Sequence, residues 1–155
     1  MKTKTPLLAL ALCFATATCF AAPSPFTGTW KLNEGKSKFS PGSGKNKMVV
    51  YSDAGSSKTK VTTDGVGADG KASHSEWTGK FDGKGYPVTG DANSDMRWYK
   101  KVDDRTMDFG QTKAGKSTLT GRIMVAADGK SRTVNTTTMN PKGKKVSNTA
   151  VYDKK

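Results

Sequence analysis

Turn-forming residues punctuate this chain about every eight to twelve positions, and that spacing limits the fold more than any other feature. The markers are Asp53-Ala-Gly55, Asp69-Gly70, Asp82-Gly83, Gly90-Asp91, Asp103-Asp104, Ala114-Gly115, Asp128-Gly129 and Asn140-Pro141. Glycine supplies positive φ, Asp and Asn close local side-chain turns, and proline cannot continue a ladder. The segments between them are short and rich in Thr, Val and aromatics, which suits a pleated surface better than a helix. Strands are predicted over 26–33, 46–52, 58–63, 72–81, 95–102, 106–112, 117–126, 131–138 and 145–153, with a further short one at 86–89. Residues 34–45 break the rhythm and read as a loop with room for one helical turn.

Alternation assigns the faces, because residues i and i+2 share one side of a strand. Phe26, Gly28, Trp30 and Leu32 fall together, as do Trp77 and Phe81, and Met96, Trp98 and Val102. So do Met107 and Phe109, then Leu119, Gly121, Ile123 and Val125, and finally Val146, Asn148, Ala150 and Tyr152. The opposite sides carry Lys31, Glu76, Lys80, Arg97, Lys101, Asp108 and Arg122. The expected architecture is all-β: an antiparallel up-and-down meander of about eight to ten strands, apolar within and polar without. Closing such a sheet removes its edges, and the interior of a small barrel either holds one ligand or is filled by side chains. A charged outer face argues against a barrel embedded in a membrane.

Residues 1–22 read as a cleavable export signal. Lys2 and Lys4 precede an apolar run from Leu7 to Phe20, and Ala21-Ala22 offers a small-residue cleavage site. The run is short for a membrane span. Residues 23–155 are then a single domain, periplasmic or extracellular. Both cysteines, Cys13 and Cys19, lie in the leader, so no disulfide is expected in the exported chain. The formal net charge is +13 and falls by two with Lys2 and Lys4. Most of it is Lys spread along the chain, which suits a solvated exterior and weak attraction to polyanions rather than bidentate phosphate recognition.

Several motifs that look chemical lack their structural context. Gly110-Gln-Thr-Lys-Ala-Gly115-Lys116-Ser117 matches the phosphate-loop letters, but an alternating, strand-like segment follows it instead of a helix. Gly65-Val-Gly67-Ala-Asp-Gly70 lacks the βαβ unit of a dinucleotide site. Asp91-Ala-Asn93-Ser-Asp95 opens like a calcium loop, yet Met96 and Val102 stand where Gly and Glu are needed, so an Asx-type turn is expected. His74 is the single histidine and pairs with Glu76 on the polar face. No metal, no cofactor and no nucleophile–base set is expected, hence no catalysis. Inward-facing aromatics also argue against a nucleic-acid platform.

The opening Phe26-Thr-Gly-Thr-Trp30-Lys-Leu32 resembles the first strand of fatty-acid-binding proteins and the Gly-x-Trp of lipocalins, together the calycin barrels. Val151-Tyr152-Asp153 resembles the last strand of fatty-acid-binding proteins. The longer pattern from Phe26 through Lys36-Ser-Lys-Phe39, with its Asp-Gly-Lys hairpins, is similar to a family of small exported bacterial proteins that brings no activity with it. The resemblance implies a barrel in which Gly28 and Trp30 are structural, and in which a basic residue late in the chain, Arg122 or Arg132, packs on Trp30. It also implies a departure: Ala150 stands where fatty-acid-binding proteins place a carboxylate-binding Arg.

Two readings of function follow. In the first, the barrel is a non-catalytic carrier of a small hydrophobic or amphipathic molecule, with Trp77, Met96, Trp98, Phe109, Asn148 and Tyr152 as the candidate ligand-binding residues. In the second, the barrel is filled and its basic exterior contacts polyanionic polymers or an acidic protein at the cell envelope. A monomer is expected in both.

Overall fold

The computed structural model describes residues 24–139 and 143–155, so the expected leader and the Asn140-Pro141 turn lie outside the described residues. The described residues form ten strands: β1 (Gly28–Leu32), β2 (Lys45–Asp53), β3 (Thr59–Val66), β4 (Ala72–Gly79), β5 (Tyr86–Thr89), β6 (Met96–Lys101), β7 (Thr106–Lys113), β8 (Lys116–Val125), β9 (Ser131–Met139) and β10 (Lys145–Lys154). A single 3-10 turn, Glu34–Lys36, sits in the loop after β1, with Asn33 as its N-cap. Each strand pairs antiparallel with its sequence neighbour, and β1 closes the ring against β10 through Trp30↔Lys154, Lys31↔Asp153 and Leu32↔Tyr152. The all-β closed meander read from the turn spacing is therefore the observed fold, a closed antiparallel barrel of ten strands.

Hairpin chemistry sets the connections. The phosphate-loop match resolves into the β7–β8 hairpin: Ala114 and Gly115, at φ 47° and 76°, form the tight turn between the strands. The weakest staves flank β5, which registers with β4 and with β6 over two residue pairs each. Pro87 there has no N–H to give to a ladder.

One end of the barrel is plugged. Phe26 and Trp30 are fully buried, and the Trp30 indole N–H donates to the Phe26 carbonyl at 2.9 Å. Gly28 takes φ +120°, and a Cβ there would meet Lys154 Cε at 2.9 Å, so the chain needs glycine to enter β1. Above the plug, rings pack on rings. Tyr99 lies 4.7 Å from Trp77, 5.7 Å from Phe109, 5.8 Å from Phe81 and 6.2 Å from Tyr51, centroid to centroid. Val61, Met107, Ile123, Val125 and Val134 are among the residues that pack into this core.

One strand is inverted relative to its predicted faces. On β6 the interior receives Arg97 and Tyr99, while Met96 and Trp98 lie outside, half-buried, and Val102 is 52% exposed. Met-Arg-Trp-Tyr offers an aromatic on either face, and charge alone suggested that Arg97 pointed out. Arg97 goes in because Asp91 and Gln111 meet it there. Trp98 is accommodated outside because its cross-strand partner is Gly110.

Candidate functional site

The barrel interior is graded along its axis. The plugged end and the middle are aromatic and aliphatic. The opposite end is ringed by the loops after β1, β3, β5 and β7, and there the inward positions become polar. Thr63 and Ser75 are cross-strand partners and both buried. Arg97 and Gln111 also face each other across β6 and β7. Thr136, Thr138 and Asn148 face inward from β9 and β10 and are half-buried, as is Gln111, so solvent reaches this mouth.

Arg97 is the charged group at this end, and it is 5% exposed. Its Nη2 donates to Asp91 Oδ2 at 3.2 Å, and Gln111 Nε2 donates to the same oxygen at 3.3 Å. Asp91 Oδ1 accepts from the Asn93 amide at 3.0 Å, which is the Asx turn expected there. The companion carboxylate Asp95 accepts from the Ala114 amide at 2.8 Å. Burial works against the guanidinium charge, but Tyr99 and Asp91 outweigh it and raise the Arg97 pKa above its ordinary value. The Arg97 Nε has no acceptor among the described residues. A buried cationic N–H without a partner costs more than a neutral one, about 1–3 kcal/mol or above.

The second buried guanidinium does different work. Arg132 is 2% exposed, and its central carbon lies 4.7 Å from the Trp30 ring, 4.9 Å from Tyr51 and 4.9 Å from Tyr152. Of the two arginines the resemblance allowed, Arg132 is thus the partner of Trp30. Arg122 stands outside, paired with Asp108. Burial pushes the Tyr51 hydroxyl well above its ordinary pKa. Burial likewise pushes Tyr152 up to about 12, with Arg132 opposing it and Tyr99 adding to it. Both phenols are neutral at physiological pH.

The sequence-predicted site residues separate into three groups. Trp77 and Phe109 are in the core, and Trp77 Nε1 donates to the Arg97 carbonyl at 2.9 Å, so it buttresses the strand that carries Arg97. Asn148 and Tyr152 face inward but hold the protein's own backbone. Asn148 Oδ1 accepts from the Ser40 amide at 2.7 Å and from Ser43 Oγ at 3.2 Å, and the Tyr152 hydroxyl donates to the Asn46 carbonyl at 3.0 Å. Met96 and Trp98 stand on the outer face and not in the interior where they were expected. Arg97 and Asp91 were missed. Alternation allowed Arg97 a place beside Tyr99, and an Asp six residues upstream was the available signal that it could be neutralised there. His74 is on the surface as expected, its Nδ1 2.6 Å from Asp64 Oδ1 and its Nε2 3.8 Å from Glu76. Among the described residues no cluster of three or more His, Cys, Asp or Glu could hold a metal ion.

No protein-family model matches the chain, and no curated protein matches it. Among solved structures the chain is similar to the fluorescent protein UnaG. The wild-type crystal structure superposes with a TM-score of 0.56 at 14% identity, over 84% of this chain and 97% of that one. A point mutant of UnaG superposes with the same TM-score and identity, over 96% of its length. At that identity the likeness is one of fold: a closed antiparallel barrel of the same build.

Proposed function

We propose that this barrel is a non-catalytic binding protein for a small amphipathic molecule whose anionic end is received by Arg97 at the polar mouth. The observation that carries the reading is the Arg97 Nε, a buried cationic donor without an acceptor, at the end of the interior that solvent reaches. A carboxylate or sulfate oxygen supplied there would satisfy it, and charge-assisted bonds of this kind are the stronger ones. The polar wall of Thr63, Ser75, Gln111 and Thr136 suits a head group, while the rings beneath it are closely packed. Since Ala150 is small and apolar, the head-group arginine of this chain is on β6 rather than β10. This reading includes export to the periplasm or exterior, supported by the leader-like pattern of residues 1–22.

Thermal shift with a panel of medium-chain carboxylates and alkyl sulfates, against alcohols of the same length, tests the reading. Anionic members should raise the melting temperature of the wild type and lose that effect in Arg97→Gln. Equal shifts from the alcohols, or shifts that persist in the variant, would remove it.

A second reading rests on the exterior. Lys31, Lys47, Lys80, Lys100 and Lys116 are exposed on a chain of formal charge +13. Polyanion contact through these residues would weaken steeply with salt, whereas capture of a ligand at the buried Arg97 would not.

A further inference from the structure

The inversion of β6 leaves a tryptophan on the outside of the barrel, in surroundings that are not those of a surface accident. Two neighbouring rows of outward residues cross β6 to β9. One row is Trp98, Gly110, Thr120 and Thr137, and the other is Lys100, Asp108, Arg122 and Asn135, each residue a cross-strand partner of the next. At ordinary strand spacing such a row spans roughly 14 Å. Between them lies an open depression of about 370 Å³, lined by Trp98, Asp108, Thr120, Arg122, Asn135 and Thr137.

The indole lies flat on the sheet. A Cβ placed on Gly110 would come within 2.7 Å of Trp98 Nε1, Cε2 and Cζ2, so one face of the ring covers the glycine and the other is turned to the depression. The polar groups beside it are planar and paired. Arg122 Nε and Nη2 donate to the two oxygens of Asp108 at 2.6 and 3.0 Å, which cancels both charges while leaving further donors on the guanidinium and lone pairs on the carboxylate. Asn135 Oδ1 accepts from Thr149 Oγ1 at 2.9 Å, so its NH2 can donate outward. The one extra cation on these rows, Lys100, runs its stem over Gly83, within 3.5 Å of where a Cβ would sit there.

An apolar ring face, hydroxyls, an amide and an internally neutralised acid–base pair in one elongated, solvent-open groove match a polyhydroxylated ligand with an apolar face. An anion suits the groove less well, because the charges of its own lining cancel and Lys100, the nearby cation, is not part of that lining. We infer that this outer groove binds neutral pyranose units of a polysaccharide, with a sugar ring stacked on Trp98 and its hydroxyls bonded to Asp108, Arg122, Asn135 and the threonines. The site is separate from the interior one and does not depend on it.

Trp98 is also the spectroscopic handle, because Trp30 and Trp77 are fully buried and Trp98 is not. Fluorescence titration with laminarin, soluble starch and galactomannan, and with hyaluronate as the acidic control, tests the proposal. At least one neutral polymer should perturb the emission and bind with little salt dependence. Trp98→Ala should weaken that binding about tenfold or more, followed by affinity electrophoresis in a gel containing the polymer. Thr120→Tyr, which fills the groove beside the indole, should do the same with the fold intact by circular dichroism. No binding of any neutral polymer, binding that survives Thr120→Tyr, or binding of hyaluronate alone that fades with salt would each overturn it.

Discussion

The guanidinium of Arg132 lies 4.7 Å from the ring of Trp30, joining β9 to the first strand across the plugged end of the barrel. Tyr51 and Tyr152 enclose it from two further strands, so one side chain ties four staves together. Two of its nitrogens, Nε and Nη1, have no hydrogen-bond acceptor among the described residues, and the rings are its main compensation. Arg132→Ala should therefore lower the unfolding free energy by about 2–4 kcal/mol, through lost cation–π contact and a cavity among rings. Arg132→Met keeps the volume and removes a buried charge, so its cost should stay within about 1 kcal/mol. Urea denaturation of the two variants checks the order; a Met variant as unstable as the Ala variant would show that the charge itself is required.

Cross-strand glycines are the seats of the large rings. A Cβ on Gly121 would come within 2.5 Å of Phe109 Cε1 and 2.6 Å of the Asn135 carbonyl oxygen. Gly121→Ala should thus cost about 1–3 kcal/mol by overpacking. Gly85→Ala, whose nearest neighbour would be Met96 Cε at 3.5 Å, should be nearly neutral. Comparable melting temperatures for the two would contradict the packing described.

His74 gives a pH signature. Its hydrogen bond to Asp64 raises its pKa above 6.5, with the Asp64 and Glu76 charges adding to the effect and desolvation opposing it. A raised pKa in the folded state contributes stability that is complete below 6.5 and is lost as pH rises through the raised value. Because it is the only histidine, its proton resonances report the titration directly. The midpoint should lie above 6.5 and return toward it in Asp64→Asn. The melting-temperature advantage of wild type over His74→Gln should shrink as pH rises. An advantage that grows with pH would reverse the sign and refute the pairing.

Asn148 anchors the long loop after β1 to the mouth. Its loss in Asn148→Ala removes the acceptor of the Ser40 amide and should cost roughly 1–2 kcal/mol. Amide exchange at Ser40 should accelerate strongly while exchange in β7 and β8 follows global stability alone. Unchanged protection at Ser40 would mean that the loop is held by something else.

How much of this was legible in the sequence depends on what each residue answers to. Turn residues act locally, so the strand boundaries and the ring of hairpins could be read from Asp-Gly and Ala-Gly pairs. Arg132 shares a face with Val134, and Arg122 with Thr120 and Met124, so alternation held the choice between the two arginines. The face of β6 was not legible, because Trp98 and Tyr99 are equally good inward residues by pattern. What decides between them is long-range: Asp91 and Gln111 neutralise and bond Arg97 within, and Gly110 makes room for Trp98 without. The burial of Arg97 was missed for the same reason, since a buried cation is recognised by its partners and not by its own spacing.

The most direct test of the interior site is a ¹H–¹⁵N spectrum of the arginine Nε–Hε groups during titration with dodecanoate, and with dodecanol as the neutral control. Arg132 is enclosed by rings and serves as the internal reference. Dodecanoate should shift the Arg97 resonance saturably while the Arg132 resonance stays in place, and dodecanol should move neither. An Arg97 resonance indifferent to dodecanoate, or displaced equally by dodecanol, would contradict an interior site at Arg97.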